Sequence, residues 1–416
     1  MRILHIVGSI NPAAGGPTEA IRMIIHYRPP GYEAEVVTLD DPAAPFLKDF
    51  PFKVHALGSH KKHWFSPRLI PWLVANRDRF DGILVHGLWE YTGLAALVAL
   101  GGRKPYMVFT HGMLDPYFKR RYPLKHFKKW LYWVPVQYWV LRSADRVLFT
   151  TELERKLASQ SFWLWHWESM VVSYGADPQL PQIQQLKPAF YALCPELRDV
   201  LLASEQPDST TPTPRFLLFL GRIDAKKGCD LLLRAFTSIA PAHPELHLIM
   251  AGPDAKSWRR ELQAIADAGH VGDRVHWPGM LRGDAKWGAF AACDAFILPS
   301  HQENFGIAVA ESLACGRPVL ISDQVNIAPE IAADGCGLVE PDTFDGTRRL
   351  LQRWLALTQD QRDDMERQAH LTFANRYDMR RNSAFILRTF ENLQTNLPEH
   401  PPIAPTLPPP SIPETR

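Results

Sequence analysis

Short apolar runs alternate with longer amphipathic stretches along most of the chain. Apolar runs of about four to eight residues, bounded by glycine or polar residues, are typical of buried strands, and the stretches between them have helical periodicity. This alternation predicts parallel sheets with helices on both faces. The predicted strands of the first half are RILHIVGS, EAEVVTL, GILVHG, YMVFTHG, DRVLFTT and MVVSYG. Those of the second half are RFLLFLGR, LHLIMAG, RVHWPG, DAFILPS, PVLIS and GCGLVEP.

The alternation is interrupted once, by a segment rich in Pro, Gln, Ser and Thr. With 416 residues, the chain is too long for one ordinary core, so two domains are expected. The predicted fold class is α/β, with two Rossmann-like, doubly wound domains that face each other across a cleft. We predict the first domain over residues 1–175, a linker with a short helix over 176–214, the second domain over 215–378, a closing C-terminal helix over 379–397 and a disordered Pro-rich tail over 398–416.

Composition narrows the classes of partner and compartment. The net charge of +2 provides no global field for nucleic acid, so we expect no nucleic-acid partner. The five cysteines are scattered without metal-ligand spacing, which favours core residues in a reducing compartment. MRILHIVGSI lacks the features of a secretory signal, and no apolar stretch approaches the ~20 residues of a spanning helix. The expected location is the cytoplasm.

Ligands of open α/β sheets bind beyond the carboxyl ends of the strands, so the residues just after strands are candidates. Gly15 and Gly16 follow the first strand and precede a helix, where backbone N–H groups can cradle a phosphate. Arg222 and Lys227 follow the first strand of the second domain and suit a diphosphate. The alternatives are a plain strand-to-helix turn for the glycines and a solvated basic loop for the two cations.

Two glutamates occur in PSHQENFGIAVAESLACGRPVL with seven residues between them. DAFILPS is a strand, HQENFG a loop and IAVAESLACG a helix, so Glu303 is predicted on the loop and Glu311 inside the helix. Too far apart to share one proton, the two carboxylates can each accept hydrogen bonds from a pair of hydroxyls on one elongated ligand. A nucleotide diphosphate sugar fits this constellation. The alternative is that both are ordinary surface carboxylates.

These motifs resemble a known family. GRIDAKKG, followed by PSHQENFGIAVAESLACGRPVL, resembles the nucleotide-sugar half of retaining glycosyltransferases of family 4, which have the GT-B fold. GGPTEAIR and THGMLDP resemble the first domain of the same family, especially members that assemble bacterial exopolysaccharide or lipopolysaccharide. The resemblance covers nearly all of residues 1–395.

The resemblance implies transfer of a hexosyl unit from a nucleotide diphosphate sugar to a glycan or lipid-linked acceptor, with retention of configuration. Arg222 and Lys227 would neutralise the diphosphate, Glu311 would bind the ribose, and Glu303 would hold the donor hexose. Gly16 would approach the phosphate from the first domain, and His111 would contact the donor sugar near the reacting carbon. The remaining donor contacts would come from the backbone of Asn304, Phe305, Gly306 and Ile307.

Several alternatives stay open. His111 could simply cap a strand end with a hydrogen bond. A sugar phosphorylase or nucleotide-sugar epimerase of similar form is the enzymatic alternative, and a non-catalytic scaffold is the third class. The chain contains no Asp-x-Asp, the usual metal clamp of the other large glycosyltransferase fold, so no obligatory metal and no cofactor are expected.

One local surface stands apart from these motifs. The segment PYFKRRYPLKHFKKWLYWVPVQYWVLRSADR places basic residues beside aromatic ones, a combination that can dock at an anionic membrane. We therefore expect a peripheral contact with the inner face of the plasma membrane. The alternative is a core helix with a solvated basic face. The candidate contact residues are Arg120, Arg121, Lys128, Lys129 and Trp130.

Overall fold

The computed structural model describes residues 1–12, 16–58, 65–177, 182–204, 212–254 and 257–395. The first sheet has seven parallel strands in the order β3-β2-β1-β4-β5-β6-β7. The strands are β1 (Arg2–Val7), β2 (Glu33–Thr38), β3 (Val54–Ala56), β4 (Gly82–His86), β5 (Tyr106–Phe109), β6 (Arg146–Phe149) and β7 (Ser169–Val171). The helices around them are α1 (Gly16–His26), α2 (Leu69–Asn76), α3 (Tyr91–Leu100), α4 (Tyr117–Arg121), α5 (Pro123–Tyr132), α6 (Tyr138–Arg142) and α7 (Glu152–Ala158).

Both faces of the first sheet are buried, because successive residues of a strand join different apolar clusters. In β4, Leu84 packs into one cluster while Ile83 and Val85 pack into another. All six predicted strands of this half are present. The edge strand β3 was not predicted, since its three residues are only partly buried and form no apolar run.

Part of the predicted linker is packed structure. Two helices, α8 (Lys187–Tyr191) and α9 (Pro195–Ser204), follow a short 3-10 turn, where only one short helix was expected. Phe190 and Leu197 are fully buried in the cluster that contains the core of the second sheet. This segment therefore extends the second domain toward the amino terminus of the chain.

The second sheet has six parallel strands in the order β10-β9-β8-β11-β12-β13. The strands, all predicted, are β8 (Arg215–Leu220), β9 (Leu246–Ala251), β10 (Val275–Gly279), β11 (Ala295–Leu298), β12 (Val319–Ser322) and β13 (Gly337–Glu340). The helices are α10 (Cys229–Ile239), α11 (Arg259–Ala268), α12 (Gly283–Ala292), α13 (Ile307–Ala314), α14 (Ala328–Asp334), α15 (Phe344–Ala356) and α16 (Gln359–Thr372).

The last described helix, α17 (Met379–Thr395), packs against the first domain. The Ser383 hydroxyl donates to the Ile24 carbonyl oxygen of α1 at 2.7 Å, and the Phe390 ring fills the space beside Gly82 of β4. The chain thus returns to its first domain after completing the second. The predicted tail, residues 398–416, lies outside the described residues. Within the described part of the chain, no helix has the length and apolarity required to cross a bilayer.

Candidate active site between the two sheets

The loops after β5, β6 and β11 meet where the two domains face each other. The Gln302 amide donates to an oxygen of Asp115 at 2.9 Å across this boundary. The Asn304 amide donates to the Thr150 hydroxyl at 3.1 Å. Because each bond joins the carboxyl end of one sheet to that of the other, the predicted cleft has a defined floor.

The loop that carries Glu303 is fixed on both sides by backbone hydrogen bonds. The Glu303 N–H donates to the Gln324 carbonyl oxygen at 3.0 Å, and the Glu303 carbonyl oxygen accepts from the Asn326 N–H at 3.0 Å. Helix α13 begins four residues later at Ile307, after Gly306 in a left-handed conformation. Glu303 therefore stands before the helix and Glu311 in its second turn, as predicted.

Glu303 forms an ion pair with Lys227, and both side chains are largely buried. The predicted diphosphate cation and the predicted sugar carboxylate thus lie side by side. Gly228, which follows Lys227, lets this loop pack closely on the end of β11. Its φ is positive, at 66°, and a Cβ there would collide with the Pro299 carbonyl oxygen. Burial, followed by the neighbouring cations Lys226 and Arg222, lowers the pKa of Lys227 below its usual range.

Glu311 is paired with Lys286 of α12, a residue that the sequence did not single out. The lysine nitrogen lies 2.7 Å from a carboxylate oxygen and 4.2 Å from the centroid of the Trp287 ring. Burial raises the pKa of Glu311, and the lysine opposes this shift. The pair borders a cavity of about 230 Å³ between the domains, which Glu19, Met23, Tyr174, Trp287 and Ile307 also line.

The amino-terminal ends of two helices approach each other at this cavity. A Cβ placed on Gly16, the first residue of α1, would lie 4.0 Å from a side-chain carbon of Ile307, the first residue of α13. Free N–H groups and the helix dipole make such ends suitable for anions. Gly15 lies outside the described residues.

His111 occupies a strained turn at the end of β5. Its φ is 51°, a region that non-glycine residues seldom adopt. Both ring nitrogens have protein partners: Nε2 lies 3.1 Å from His86 Nδ1, and Nδ1 lies 2.6 Å from the Tyr174 hydroxyl. In this arrangement the imidazole has no nitrogen left for a sugar. Its proposed sugar contact therefore requires a rotation of the ring, or the backbone of the turn in its place.

His111 is the last of three imidazoles that contact one another in a row, with His86 next and His5 at the far end. His86 Nε2 lies 2.9 Å from His5 Nδ1, and His5 Nε2 has no hydrogen-bond partner among the described residues. If each imidazole donates toward Tyr174, His5 Nε2 is left with only an unpaired acceptor. If each donates toward His5 instead, His5 Nε2 carries a buried N–H that has no acceptor. We therefore assign a donating Nδ1–H to His111. Burial lowers the pKa of both His5 and His111 to about 3, so this row is neutral at physiological pH.

Glu154 organises the same turn, and no sequence pattern singled it out as a site residue. Its carboxylate accepts from the Gly112 N–H and the Thr110 hydroxyl, each at 2.7 Å, and from the Thr150 N–H and hydroxyl, each at 2.6 Å. Thr150 in turn receives the Asn304 amide. Gly112 has a φ of 76°, and a Cβ there would lie 2.6 Å from the Asn304 side chain, so this contact between domains requires glycine.

The predicted residues thus separate into two groups. Close to the floor of the cleft lie Gly16, His111, Lys227, Glu303, Asn304, Phe305, Gly306, Ile307 and Glu311. Arg222 lies on the loop after β8, and its side chain is exposed. Among the described residues, one cluster has metal-ligand geometry, Cys194, Glu196 and His276, and it includes neither cleft glutamate.

Comparison with known proteins assigns both domains to glycosyltransferase families. Residues 15–175 match the glycosyl transferase 4-like domain, and residues 204–372 match the glycosyl transferases group 1. Each half of the chain thus matches a glycosyltransferase domain model, and the two domains together have the GT-B fold.

Similar proteins agree with this assignment. The D-inositol 3-phosphate glycosyltransferase of Thermomonospora curvata is 33% identical over 197 residues, which are 44% of this chain and 42% of the relative. That of Xylanimonas cellulosilytica is 38% identical over 106 residues, 25% of each chain. These alignments cover less than half of either relative.

Two solved structures have the same fold. Sucrose-phosphate synthase from Thermosynechococcus elongatus is 17% identical, with a TM-score of 0.71 over 95% of this chain and 100% of that one. HepE from Anabaena in complex with UDP is 19% identical, with a TM-score of 0.70 over 94% of this chain and 100% of that one.

Proposed function

We propose that this protein is a retaining glycosyltransferase that moves a hexosyl unit from a nucleotide diphosphate sugar to a glycan or lipid-linked acceptor, in exopolysaccharide or lipopolysaccharide biosynthesis. One observation carries the proposal. Two largely buried carboxylates, Glu303 and Glu311, each stand beside a lysine at the junction of two glycosyltransferase domains. Such paired acceptors suit the hydroxyls of two sugars on one ligand.

We assign each part of the donor its own partners. The diphosphate lies between the amino-terminal ends of α1 and α13, where Lys227 and the exposed Arg222 add positive charge. The ribose binds to Glu311 and the hexose to Glu303. Anabaena HepE, which shares the fold, has been solved with UDP-glucose, a ligand of this class.

The chemistry follows from where charge develops. As the glycosyl–phosphate bond breaks, negative charge accumulates on the leaving diphosphate, and cations held in a closed cleft stabilise it. The family resemblance implies that the leaving phosphate takes the proton of the acceptor hydroxyl. Burial lowers the pKa of His111 to about 3 and both of its ring nitrogens are hydrogen-bonded, so its role is to position the turn that faces the donor rather than to act as a base.

Donor binding tests the assignment of Glu311. In a thermal-shift screen with UDP-, GDP- and ADP-sugars, a ligand at 100 times its dissociation constant should stabilise the fold by about 2.7 kcal/mol. Glu311→Gln should abolish most of this shift. Glu366→Gln is the matched control, because Glu366 also pairs with a cation, Arg317, at 3.1 Å but on a different helix. An equal nucleotide affinity in wild type and Glu311→Gln would refute the ribose assignment.

Product analysis tests the reaction itself. We expect free nucleotide diphosphate to accumulate only with an acceptor, and proton NMR of the product to show the anomeric configuration of the donor. Activity should persist in EDTA, since we propose that no metal is required. Sugar phosphate formation or interconversion of the donor without an acceptor would instead identify a phosphorylase or an epimerase.

A further inference from the structure

Helix α5 presents apolar side chains to solvent rather than to the core. None of its residues is buried. Leu124, Phe127 and Leu131 are 81%, 69% and 73% exposed. At 100° per residue these three positions lie within an arc of about 60° on one side of the helix. The helix is therefore amphipathic in the sense opposite to that of a core helix, with its apolar stripe outward.

A neighbouring loop adds two exposed tryptophans. Trp163 and Trp165 are 80% and 50% exposed. The loop is held beside α5, because the Trp133 indole donates to the Trp163 carbonyl oxygen at 2.9 Å and the Trp130 ring packs on Trp163 at 5.6 Å. We call this set the α5 surface: Leu124, Phe127, Lys128, Leu131, Trp163 and Trp165.

The charge of the segment that contains α5 has a single sign. Residues 116–144 contain no Asp or Glu and seven basic residues: Lys119, Arg120, Arg121, Lys125, Lys128, Lys129 and Arg142. All of them except Lys129 are exposed. Since the whole chain carries only +2, this positive patch is a local feature.

Two of the five predicted contact residues point away from solvent. The Lys129 nitrogen lies 4.3 Å from the centroid of the Trp89 ring, and burial lowers its pKa. Trp130 packs on the Phe162 ring at 5.2 Å. Both anchor α5 to the first domain, so among the five predicted contact residues the exposed cations are Arg120, Arg121 and Lys128. The alternative of a core helix with a wet basic face does not fit the exposed leucines and phenylalanine.

We propose that the α5 surface docks the protein on an anionic lipid bilayer, with α5 parallel to the membrane plane. An apolar stripe with flanking Lys and Arg and exposed tryptophans matches the interfacial region of a bilayer, where acyl chains meet charged headgroups. A second copy of the chain is the less suitable occupant. A symmetric pair would bring the same cations together without any carboxylate between them.

The docked orientation also suits the proposed transfer, although docking does not depend on it. Tyr117, Arg120 and Arg121 of α4 form one wall of a cavity of about 530 Å³, and Lys226 and His301 of the second domain form another. Because α4 leads directly into α5, a membrane at the α5 surface lies next to this cavity. A sugar acceptor attached to a lipid in that membrane would thus have a short path to the domain boundary.

Vesicle sedimentation of the 416-residue chain tests the docking. We expect strong binding to phosphatidylglycerol vesicles and much weaker binding to phosphatidylcholine vesicles. Arg120→Gln with Arg121→Gln and Lys128→Gln should weaken binding about a hundred-fold at low salt, from about 1 kcal/mol per charge. Leu124→Ser with Phe127→Ser and Leu131→Ser should weaken it at least about ten-fold and remove the part that resists high salt.

A matched control tests whether the loss of binding is specific to the α5 surface. Leu371→Ser with Arg234→Gln and Arg260→Gln changes exposed residues of the second domain and should leave binding unchanged. The nucleotide thermal shift, measured in every variant, should stay at the wild-type value. A wild type that never sediments, or an apolar variant that sediments normally, overturns the proposal. So does a dimer that the apolar variant disperses while vesicle binding is absent.

Discussion

The two sides of the cleft stand at equivalent edges of similar sheets, yet they are built from opposite kinds of side chain. The first domain contributes a buried row of uncharged hydrogen-bonding groups that runs from His5 through His86 to His111 and Tyr174. The second contributes two ion pairs, one at Glu303 and one at Glu311. Both sides are largely buried, so solvent exposure does not account for the difference.

The contrast indicates a division of labour. Neutral buried groups that satisfy one another hold a backbone in one conformation, which the strained turn at His111 requires. Buried ion pairs stabilise a fold little, because desolvation offsets their attraction. Each pair does, however, hold a charged side chain at a place where a charged ligand can replace its protein partner. We therefore expect substitutions in the first domain to act on stability, and those in the second to act on donor chemistry.

The largest expected effect concerns acid. The pKa of His5 and of His111 is lowered to about 3, and that of His86 well below its usual value, by burial. An unfolded chain takes up these protons near pH 6.5, so stability is complete above that pH and is lost as the pH falls toward 3. Each histidine adds a slope of about 1.4 kcal/mol per pH unit. Thermal unfolding between pH 8 and 4 measures the sum.

One substitution isolates this contribution from the titration of carboxylates. His5→Gln should reduce the slope of stability against pH by about 1.4 kcal/mol per unit relative to wild type. His26→Gln changes an exposed histidine of α1 and should leave the slope unchanged. If wild type and His5→Gln lose stability in parallel below pH 6, the imidazole row is not neutral.

The second-largest expected effect concerns the ion pair between Lys227 and Glu303 in the second domain. Lys227→Met removes a cation from the proposed diphosphate site and leaves the Glu303 carboxylate without its partner. We expect transfer to slow by about 10²- to 10³-fold, the usual cost of one stabilising group in a transition state. Lys226→Met is the control, because that lysine lies 5.4 Å from the centroid of the Phe118 ring on the other side of the boundary. Equal losses in the two variants would contradict the assignment.

The strands were predictable because parallel strands buried on both faces consist of continuous apolar runs. The charged side was predictable as well, since Lys227, Glu303 and Glu311 follow strands in recognisable motifs. Their partners were not. Lys286 is one lysine on an ordinary helix, and only tertiary packing places its nitrogen at Glu311. The same limit applied to Gly112, whose contact with Asn304 joins residues far apart in the sequence.

Glu154 shows why the first-domain side of the cleft escaped prediction. The pattern Thr-x-x-Glu indicates a helix start, and the Thr151 hydroxyl does accept from the Glu154 N–H at 2.9 Å. In a capping box, the Glu154 carboxylate would turn back to the N–H of the N-cap residue, Thr151. The structure turns it to the ends of β5 and β6 instead, because four donors converge there. Local pattern fixed the helix, whereas neighbouring strands fixed the side chain.

The four hydrogen bonds to the Glu154 carboxylate predict an effect of intermediate size on stability. Glu154→Gln replaces one acceptor oxygen by an NH₂ group, which faces donors and leaves them unsatisfied. We expect a loss of about 1–3 kcal/mol in the free energy of unfolding, with slower transfer but unchanged nucleotide affinity. Glu152→Gln, on the exposed side of the same helix, should have no measurable effect. Chemical denaturation and the nucleotide thermal shift distinguish these results, and a weakened nucleotide affinity would remove the distinction between the two sides.

The smallest expected effect is the coupling between the sides. Asn304 donates to Thr150 across the boundary, and a neutral hydrogen bond of this kind contributes about 0.5–1.5 kcal/mol. A double-mutant cycle of Asn304→Ala with Thr150→Val should recover that coupling energy in unfolding but not in kcat/KM, because a bond kept in both the free enzyme and the transition state cancels. Thr150→Val alone also removes a donor from Glu154, and the cycle cancels this cost. Pairing Thr150→Val with Gln302→Ala should give no coupling, because Gln302 bonds to Asp115. A coupling of similar size in kcat/KM would mean that this bond breaks during catalysis.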